Sequence, residues 1–428
     1  MLDGFASWVG IFVGAILRYF AVFKNREEPP MSEIRFCEVS DLADAREQLA
    51  DIRHHIHQHP ELSYEEVDTS RYVAEKLEGW GYQVTRNVGG HGVVASLTAG
   101  TSGRTVGVRA DMDALPIHEQ TGLAYASVHD GKMHACGHDG HTTVLLGAAQ
   151  QLAKTRNFDG TVNLIFQPAE EAGSNSGAEQ MIADGLFERF PCQAIFGLHN
   201  HPGVATGTFG FRAGPLMAAC DTVKVKIHGR GGHAARPHLA VDPVMIGSSL
   251  VMALQTVVAR NIDPTEAAVV TVGTFHAGFA PNVIPESATM EMSVRSFSAA
   301  VRAKLEERIR ALVTTHVEGY GGTAEIEYIR GYPVLVNSEA ETEFARSVAE
   351  ELVGNEHIIS PFPPIAGSED FAYYLQKVPG CFIRLGNGVG EGRPMLHNAK
   401  YDFNDDNLTI GAAFWTRLVE RFLAKDRA

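Results

Sequence analysis

Between residues 93 and 198, short apolar runs alternate with helical patterns, and no other feature of the chain constrains its fold as strongly. The runs at 93–97, 161–166 and 194–198 are almost continuously apolar, which is typical of buried strands. Buried strands that alternate with helices form parallel sheets covered on both faces. The sequence therefore predicts an α/β fold, with a mostly parallel sheet and helices on both of its faces.

A different pattern begins near residue 214. Predicted elements follow in the order strand 223–227, helix 243–259, strands 268–274 and 289–296, helix 299–317 and strand 325–329. This β-α-β-β-α-β order is that of a ferredoxin-like α+β domain. Because 428 residues exceed what one hydrophobic core usually supports, we predict that residues 214–333 form an inserted domain between two parts of a larger one, 31–213 and 334–428.

The first thirty residues differ from the rest of the chain. Residues 5–23 are almost wholly apolar, but Asp3 precedes them and Arg18 interrupts them. The segment therefore fits neither a spanning helix nor a signal peptide well. Two interpretations stay open: residues 1–30 are a dispensable extension before a start at Met31, or the apolar segment associates weakly with a membrane.

Composition narrows the classes of partner. A formal net charge of -15 argues against nucleic acid and anionic membrane surfaces as principal partners, because both are bound by basic patches. The five cysteines are odd in number and widely scattered, unlike a disulfide framework. We therefore expect a cytoplasmic protein that acts on small molecules.

Residues 134–141 place one thiol and three imidazoles directly ahead of a predicted helix at 142–154. Cys136 and His138 can reach one cation, because Gly137 permits a tight turn between them. The segment is therefore interpreted as half of a metal site.

Further candidate ligands follow the ends of predicted strands, namely Asp111, Asp113, the pair Glu170 and Glu171, and His199. In open α/β sheets, ligands bind at the edge where the carboxyl ends of the strands meet. Adjacent carboxylates at the end of a buried strand are costly unless a cation lies near them. One carboxylate of such a pair can bind metal while its neighbour serves as general base.

A cluster of histidines near the N-terminus is interpreted differently. His55, His57 and His59 fall at the end of a predicted surface helix. Imidazoles in such a place are more often solvated than metal-bound. We therefore expect all three to be exposed to solvent.

Ordered motifs along the chain resemble the M20 family of metallopeptidases and aminoacylases. They resemble most closely the branch of hippurate hydrolases, indole-acetyl-amino-acid hydrolases and N-acyl-amino-acid amidohydrolases. The motifs are residues 109–116, 136–141, 167–173, 197–199, 231–237, 367–371 and 397–398. The resemblance spans about residues 42–423 and leaves only the N-terminal segment outside it.

The resemblance implies a binuclear metal site with Glu170 as the general base. The implied ligands are Cys136, His138, Glu171, His199 and His397. Asp113 is expected to assist catalysis by orienting a ligand, and Asp111, His141 and Glu369 to lie in an outer shell. His134 is likewise expected to play a supporting role. In most other branches an aspartate bridges the ions and a histidine replaces Asp111, so Cys136 indicates the acyl-amino-acid branch.

The inserted domain is implied to be a lid and a dimerisation domain. In similar enzymes it supplies a histidine and an asparagine to the acyl oxygen, here His233 and Asn282. Arg295 is implied to bind the free carboxylate, which an arginine fork suits because two parallel charge-assisted bonds fix its plane. His233 is expected to reach the site of the partner in a homodimer.

We therefore expect hydrolysis of the amide bond in N-acyl amino acids, hippurate-like or N-acetylated, by a metal-activated water. Two divalent ions per subunit are expected, manganese or zinc first, with cobalt or nickel also compatible with these ligands. A metallo-dipeptidase or an N-acetyl-diaminopimelate deacetylase would share the metal core. A non-catalytic metal-bound scaffold would share the fold, but it would have no need of Glu170.

Overall fold

The computed structural model describes residues 35–390 and 394–425. Numbered along the chain, the strands are β1 (Gln83–Val88), β2 (Gly92–Ala99), β3 (Thr105–Asp111), β4 (Gly160–Gln167), β5 (Ala194–Pro202), β6 (Phe209–Gly210), β7 (Gly214–Met217), β8 (Ala219–His228), β9 (Gly232–His233), β10 (Ala268–Ala277), β11 (Val283–Ile284), β12 (Ser287–Ser296), β13 (Thr323–Arg330), β14 (Leu335–Asn337), β15 (Ile358–Ile359) and β16 (Gly380–Gly388). The predicted extension 1–30, with its apolar segment, lies outside the described residues.

The α-helices, numbered in the same way, are α1 (Arg46–Gln58), α2 (Val67–Gly79), α3 (His138–Thr155), α4 (Gly177–Ala183), α5 (Leu186–Arg189), α6 (Pro243–Asn261), α7 (Ala299–Gly319), α8 (Glu339–Val353), α9 (Phe371–Leu375) and α10 (Asp406–Phe422). Short 3-10 helices lie at Val39–Ala45, Glu170–Ala172, Pro237–Leu239 and Asn355–His357.

The larger sheet has the strand order β1-β2-β4-β3-β5-β16-β6-β15. Its central strands β4, β3, β5 and β16 are parallel neighbours, whereas β1 and β2 add antiparallel pairs at one edge. The central strands are buried along nearly their whole length, as their continuous apolar runs predicted. The predicted α/β fold with a mostly parallel sheet is confirmed.

A second sheet has the order β10-β12-β8-β13, with every neighbouring pair antiparallel. Helices α6 and α7 pack on it and share a hydrophobic core with it, separate from the core of the larger sheet. This is the predicted ferredoxin-like β-α-β-β-α-β arrangement. The domain boundaries 31–213, 214–333 and 334–428 stay predictions.

Two helices differ from the sequence-based expectation at glycines with positive φ. Helix α3 begins at His138, four residues before the predicted start, because Gly137 (φ 93°) turns the chain into the helix. The helical pattern of residues 178–187 also predicts one helix, but in the structure Gly185 (φ 80°) divides this segment into α4 and α5. The first difference matters for the site, because it places His138 and His141 on the first turn of α3.

Among the described residues, α6 meets the length and hydropathy criteria for a membrane span. Helices in the cores of globular proteins meet the same criteria. The inner face of α6, including Ile246, Leu250 and Leu254, packs into the core of the second sheet.

Candidate active site

The thiol of Cys136 and two imidazoles meet at the carboxyl end of the central strands. Cys136 Sγ lies 3.3 Å from Nε2 of His199, which is on β5. The Nδ1 of His199 donates to the carbonyl of Asn200 at 2.7 Å, and the Nδ1 of His138 donates to the carbonyl of Asp113 at 2.8 Å. Both rings therefore present Nε2 to the site, and Nε2 of His138 is buried without a hydrogen-bond partner among the described residues.

A second group shares the same thiol. It consists of Cys136, Glu171 and His397, and Nε2 of His397 lies 3.1 Å from a carboxylate oxygen of Glu171. Glu171 also belongs to a group with His138 and Glu170. In each group the potential ligand atoms lie within 4.8 Å of one another.

These donors fit divalent metal ions. A thiol, imidazole nitrogens and a carboxylate are the ligands that zinc and neighbouring transition metals bind. Burial, followed by the neighbouring His141, holds the pKa of His199 well below its usual range, so its imidazole is neutral, as a metal ligand must be. The structure thus brings together the predicted ligands Cys136, His138, Glu171, His199 and His397.

The other predicted residues of the motif hold these donors in place. His141 donates from Nδ1 to Asp111 at 2.7 Å and accepts on Nε2 from the backbone of Asn200 at 3.0 Å, so neither ring nitrogen is free for metal. Asp113 accepts from Ser63 at 2.7 Å and from the backbone N–H of Glu171 at 2.9 Å. These contacts suit the supporting roles expected of Asp111, Asp113 and His141.

Glu170 lies beside the donors at the start of a short 3-10 helix after β4, and it is 6% exposed. Burial, the neighbouring Glu369 and then Glu171 raise its pKa well above the ordinary carboxyl range. A carboxylate with a raised pKa is a stronger proton acceptor, which suits a general base. Burial also raises the pKa of Glu369 to about 8, although Arg109 lies 3.0 Å away and opposes this shift.

A cavity of about 320 Å³ opens onto these groups. Its wall includes Glu170, Glu369 and the potential ligands Cys136, Glu171, His199 and His397. From the second sheet, Arg295 reaches the same cavity, and its Nη1 donates to Ser368 Oγ at 3.3 Å. Arg295 therefore stands where a substrate that enters this cavity can contact it.

His233 and Asn282 lie elsewhere. His233 is exposed on β9, which pairs with β11, and the carbonyl of Asn282 accepts from the backbone of Ala234 at 3.1 Å. Within residues 35–390 and 394–425, neither side chain lines the cavity that holds the metal donors. Their predicted contact with substrate stays a prediction.

Sequence reasoning overlooked Arg384, on β16. Its side chain lines the cavity and is 3% exposed. The sequence does contain a signal for this residue, because Arg384 interrupts the apolar run from Cys381 to Leu385. A charged side chain in such a run either has a partner or serves a function.

The prediction that all three N-terminal histidines are solvated is wrong for His57. His55 is exposed and His59 is half-buried, but His57 is fully buried. Its Nδ1 lies 2.8 Å from Asp139, which follows the ligand candidate His138, and Arg53 pairs with Asp139 at 3.5 Å. The buried face of α1 packs against α3, so His57 supports the first turn of that helix.

Replacing His57 with Gln is expected to lower the free energy of unfolding by about 3 kcal/mol near pH 7, since it removes the partner of a buried carboxylate. Although burial lowers the pKa of His57, hydrogen bonds with Asp139 and Glu119 raise it from 6.5 to about 9. The stabilisation is therefore complete below about pH 6.5 and is lost as the pH rises through about 9. Urea unfolding of the wild type and the variant between about pH 6 and about pH 9.5 measures the difference in the free energy of unfolding, with His55→Gln as control. A deficit that stays constant with pH would contradict the prediction.

His134 is also buried, and both of its ring nitrogens lack hydrogen-bond partners among the described residues. Burial lowers its pKa to about 4, so the ring is neutral. His134 belongs to none of the donor groups found within the described residues, and its expected supporting role stays a prediction.

Comparison with known proteins adds independent findings. The model of peptidase family M20/M25/M40 matches residues 107–421. A hippurate hydrolase of Campylobacter jejuni subsp. jejuni serotype O:2 is 41% identical over 385 residues, which cover 90% of this chain and 99% of that protein. An N-acetyl-L-cysteine deacetylase of Bacillus subtilis is 41% identical over 384 residues, which cover 90% of each chain.

Among solved structures, the YXEP protein of Bacillus subtilis, a dinuclear metal binding peptidase from the M20 family, is similar to this chain with a TM-score of 0.77 and 33% identity. The match covers 88% of this chain and 98% of that one. The similarity therefore extends over both sheets rather than over the metal site alone.

Proposed function

We propose that this chain, which belongs to peptidase family M20/M25/M40 and is a hydrolase of amide bonds, cleaves N-acyl amino acids to a carboxylic acid and a free amino acid. The observation that carries the proposal is the placement of one buried carboxylate, Glu170, beside a set of metal donors and on the wall of a cavity that Arg295 also reaches. The relatives named above for hippurate and N-acetyl-L-cysteine support the same substrate class.

The metal centre is proposed to hold two divalent ions, manganese or zinc first, through Cys136, His138, Glu171, His199 and His397. When bound, such ions lower the pKa of water and polarise a carbonyl. The thiol lies in two of the donor groups, which suits a ligand shared by both ions.

Glu170 is proposed to take a proton from the attacking water and to pass it to the amine nitrogen as the C–N bond breaks and the C–O bond forms. Its burial excludes competing solvent from the carboxylate. Asp113 would orient His138, because its carboxylate lies 3.3 Å from Nδ1 of that ring and its carbonyl accepts the Nδ1 hydrogen bond. The guanidinium of Arg295 would bind the α-carboxylate of the substrate.

Hydrolysis of hippurate and of N-acetylated amino acids is expected to require divalent metal. Release of benzoate or acetate should fall to background after chelation and return when Mn²⁺ or Zn²⁺ is added, because the proposed ions would supply the activation of the attacking water. Chromatography of the released acid measures the reaction, and dipeptides and N-acetyl-diaminopimelate complete the panel. Metal-dependent cleavage of dipeptides alone would refute the proposal in favour of a dipeptidase.

The remaining expectations stay predictions. A homodimer would form through residues 214–333 and would bring His233 and Asn282 to the partner's substrate. A cytoplasmic location also stays a prediction. Light scattering of the purified protein tests the dimer directly.

A further inference from the structure

Arg384 is a buried cation that forms no ion pair within 4.0 Å with a carboxylate of the described residues, although Glu369 and Glu170 act on it at longer range. It lies on β16 opposite the candidate ligand His199 on the neighbouring strand β5. Its Nη2 donates to the sulfur of Met217 at 3.4 Å. Its Nε and Nη1 are buried and lack hydrogen-bond partners within the described part of the chain.

The other fully buried arginines show how this fold treats such a charge. Arg53 pairs with Asp402 at 2.8 Å and with Asp405 at 2.7 Å. Arg109 pairs with Asp111 at 2.7 Å and with Asp370 at 2.9 Å. Arg53 also has two buried nitrogens without a hydrogen bond among the described residues, so the missing carboxylate partner, rather than the free donors alone, distinguishes Arg384. A buried guanidinium without such a partner is destabilising, which indicates a role in binding rather than in folding.

The position of Arg384 shows where an anion would bind. Arg384 and Arg295 line the same cavity, together with Glu170 and the metal donors. Arg295 is half-buried and comes from the second sheet, whereas Arg384 is almost fully buried in the larger one. One arginine satisfies the α-carboxylate of an N-acyl amino acid. The second arginine would stay unpaired in a complex with a substrate whose remaining groups are neutral.

A competing explanation for the burial of Arg384 is that its charge balances the acidic residues of the site. The acidic group with the largest electrostatic effect on Arg384 is Glu369, which is already bound by Arg109 at 3.0 Å and by the backbone N–H of Phe371 at 3.1 Å. Burial lowers the pKa of Arg384 to about 10, with neighbouring acidic groups opposing this shift, and the guanidinium is still charged at neutral pH. An arginine that acts only as a long-range counter-charge does not need free N–H donors. An arginine that binds the carboxylate of a ligand does need them.

We propose that Arg384 binds a second carboxylate of the substrate, so that the preferred substrates are dianionic N-acyl amino acids. This inference rests on the amidohydrolase function proposed above. The second carboxylate can belong to the acyl group, as in an N-succinyl amino acid, or to the side chain of the amino acid, as in an N-acyl glutamate. Its two oxygens would accept from Nε and Nη1, the donors that the protein leaves free.

The wild-type enzyme tests the inference with matched substrate pairs. N-succinyl-alanine is compared with N-butanoyl-alanine, and N-acetyl-glutamate with N-acetyl-glutamine. In at least one pair, kcat/KM for the dianionic member is expected to be higher by about 10-fold or more, because only that member neutralises Arg384. The pair that shows the preference tells which half of the substrate carries the second carboxylate. Equal rates within both pairs would overturn the inference.

In the pair that shows the preference, replacing Arg384 with Met is expected to lower the dianionic-to-neutral ratio of kcat/KM by about 10-fold or more, to near one, mainly through KM. Arg384→Lys should restore part of the ratio, because the charge remains but the fork is lost. Arg189→Met is the matched control, since Arg189 is exposed, pairs with Asp184 and does not line the cavity. An equal loss for both members of each pair would make Arg384 a structural counter-charge and contradict the inference.

The comparison of substrates with the wild-type enzyme tests the inference even if the Arg384→Met variant fails to fold. If circular dichroism shows Arg384→Met to be unfolded, the substrate preference of the wild-type enzyme decides the question alone. The proposed function fails separately, when no N-acyl amino acid of either charge is cleaved. Cleavage of both members at equal rates would retain that function and reject only the role of Arg384.

Discussion

Replacing Glu170 with Gln is expected to lower kcat by about 1,000-fold or more, while the bound metal and KM change little. The amide keeps the shape of the side chain but cannot accept the proton of the attacking water. Glu170 belongs to a group with His138 and Glu171, so metal content must be measured together with kcat. Steady-state kinetics with hippurate and elemental analysis of the same preparation check the prediction.

Two further substitutions serve as controls for the effect of Glu170→Gln on kcat and metal content. Glu188→Gln changes an exposed glutamate of α5 and is expected to leave kcat unaltered. Glu171→Gln removes a proposed ligand and should lower metal content as well as kcat. If Glu170→Gln retains metal and turns over at the wild-type rate, Glu170 is not the base.

The fold was predictable where the signal is local. Continuous apolar runs predicted β4 and β5 to within a few residues, and the βαββαβ order predicted the second sheet. The two-residue strands β6, β9, β11 and β15 escaped prediction, because so short a pairing has no periodicity of its own. Membership of the M20 family was likewise predicted from ordered motifs and is confirmed.

The site was predictable where residues follow buried strands. Asp111, Glu170 and His199 were recognised because parallel strands bring their carboxyl ends to one edge. His57 was misjudged, since only the packing of α1 on α3 shows that one histidine of the three faces the core. Arg384 was missed because a strand pattern does not reveal whether a buried charge has a partner.

Among the described residues, Cys136 is the one residue common to the two donor groups that consist only of proposed ligands, one with His138 and His199 and one with Glu171 and His397. The further groups to which His138 and Glu171 belong also contain Asp111, His141 or Glu170. Loss of a ligand that serves a single ion weakens one site, whereas loss of a shared ligand weakens both. A carboxylate in place of the thiolate can also bridge two cations, and the resemblance implies that other branches of the family use an aspartate for this purpose.

Replacing Cys136 with Ala is therefore expected to lower bound metal from about two equivalents to well below one, and hydrolysis to background, because both of the proposed ions would lose a ligand. Cys136→Asp should recover part of the metal and part of the activity. Cys192→Ala is the matched control, since this half-buried cysteine belongs to no donor group among the described residues. Elemental analysis and hippurate hydrolysis measure the two effects. Retention of one full equivalent by Cys136→Ala would show that the thiol serves a single ion, and the shared-ligand arrangement would then be wrong.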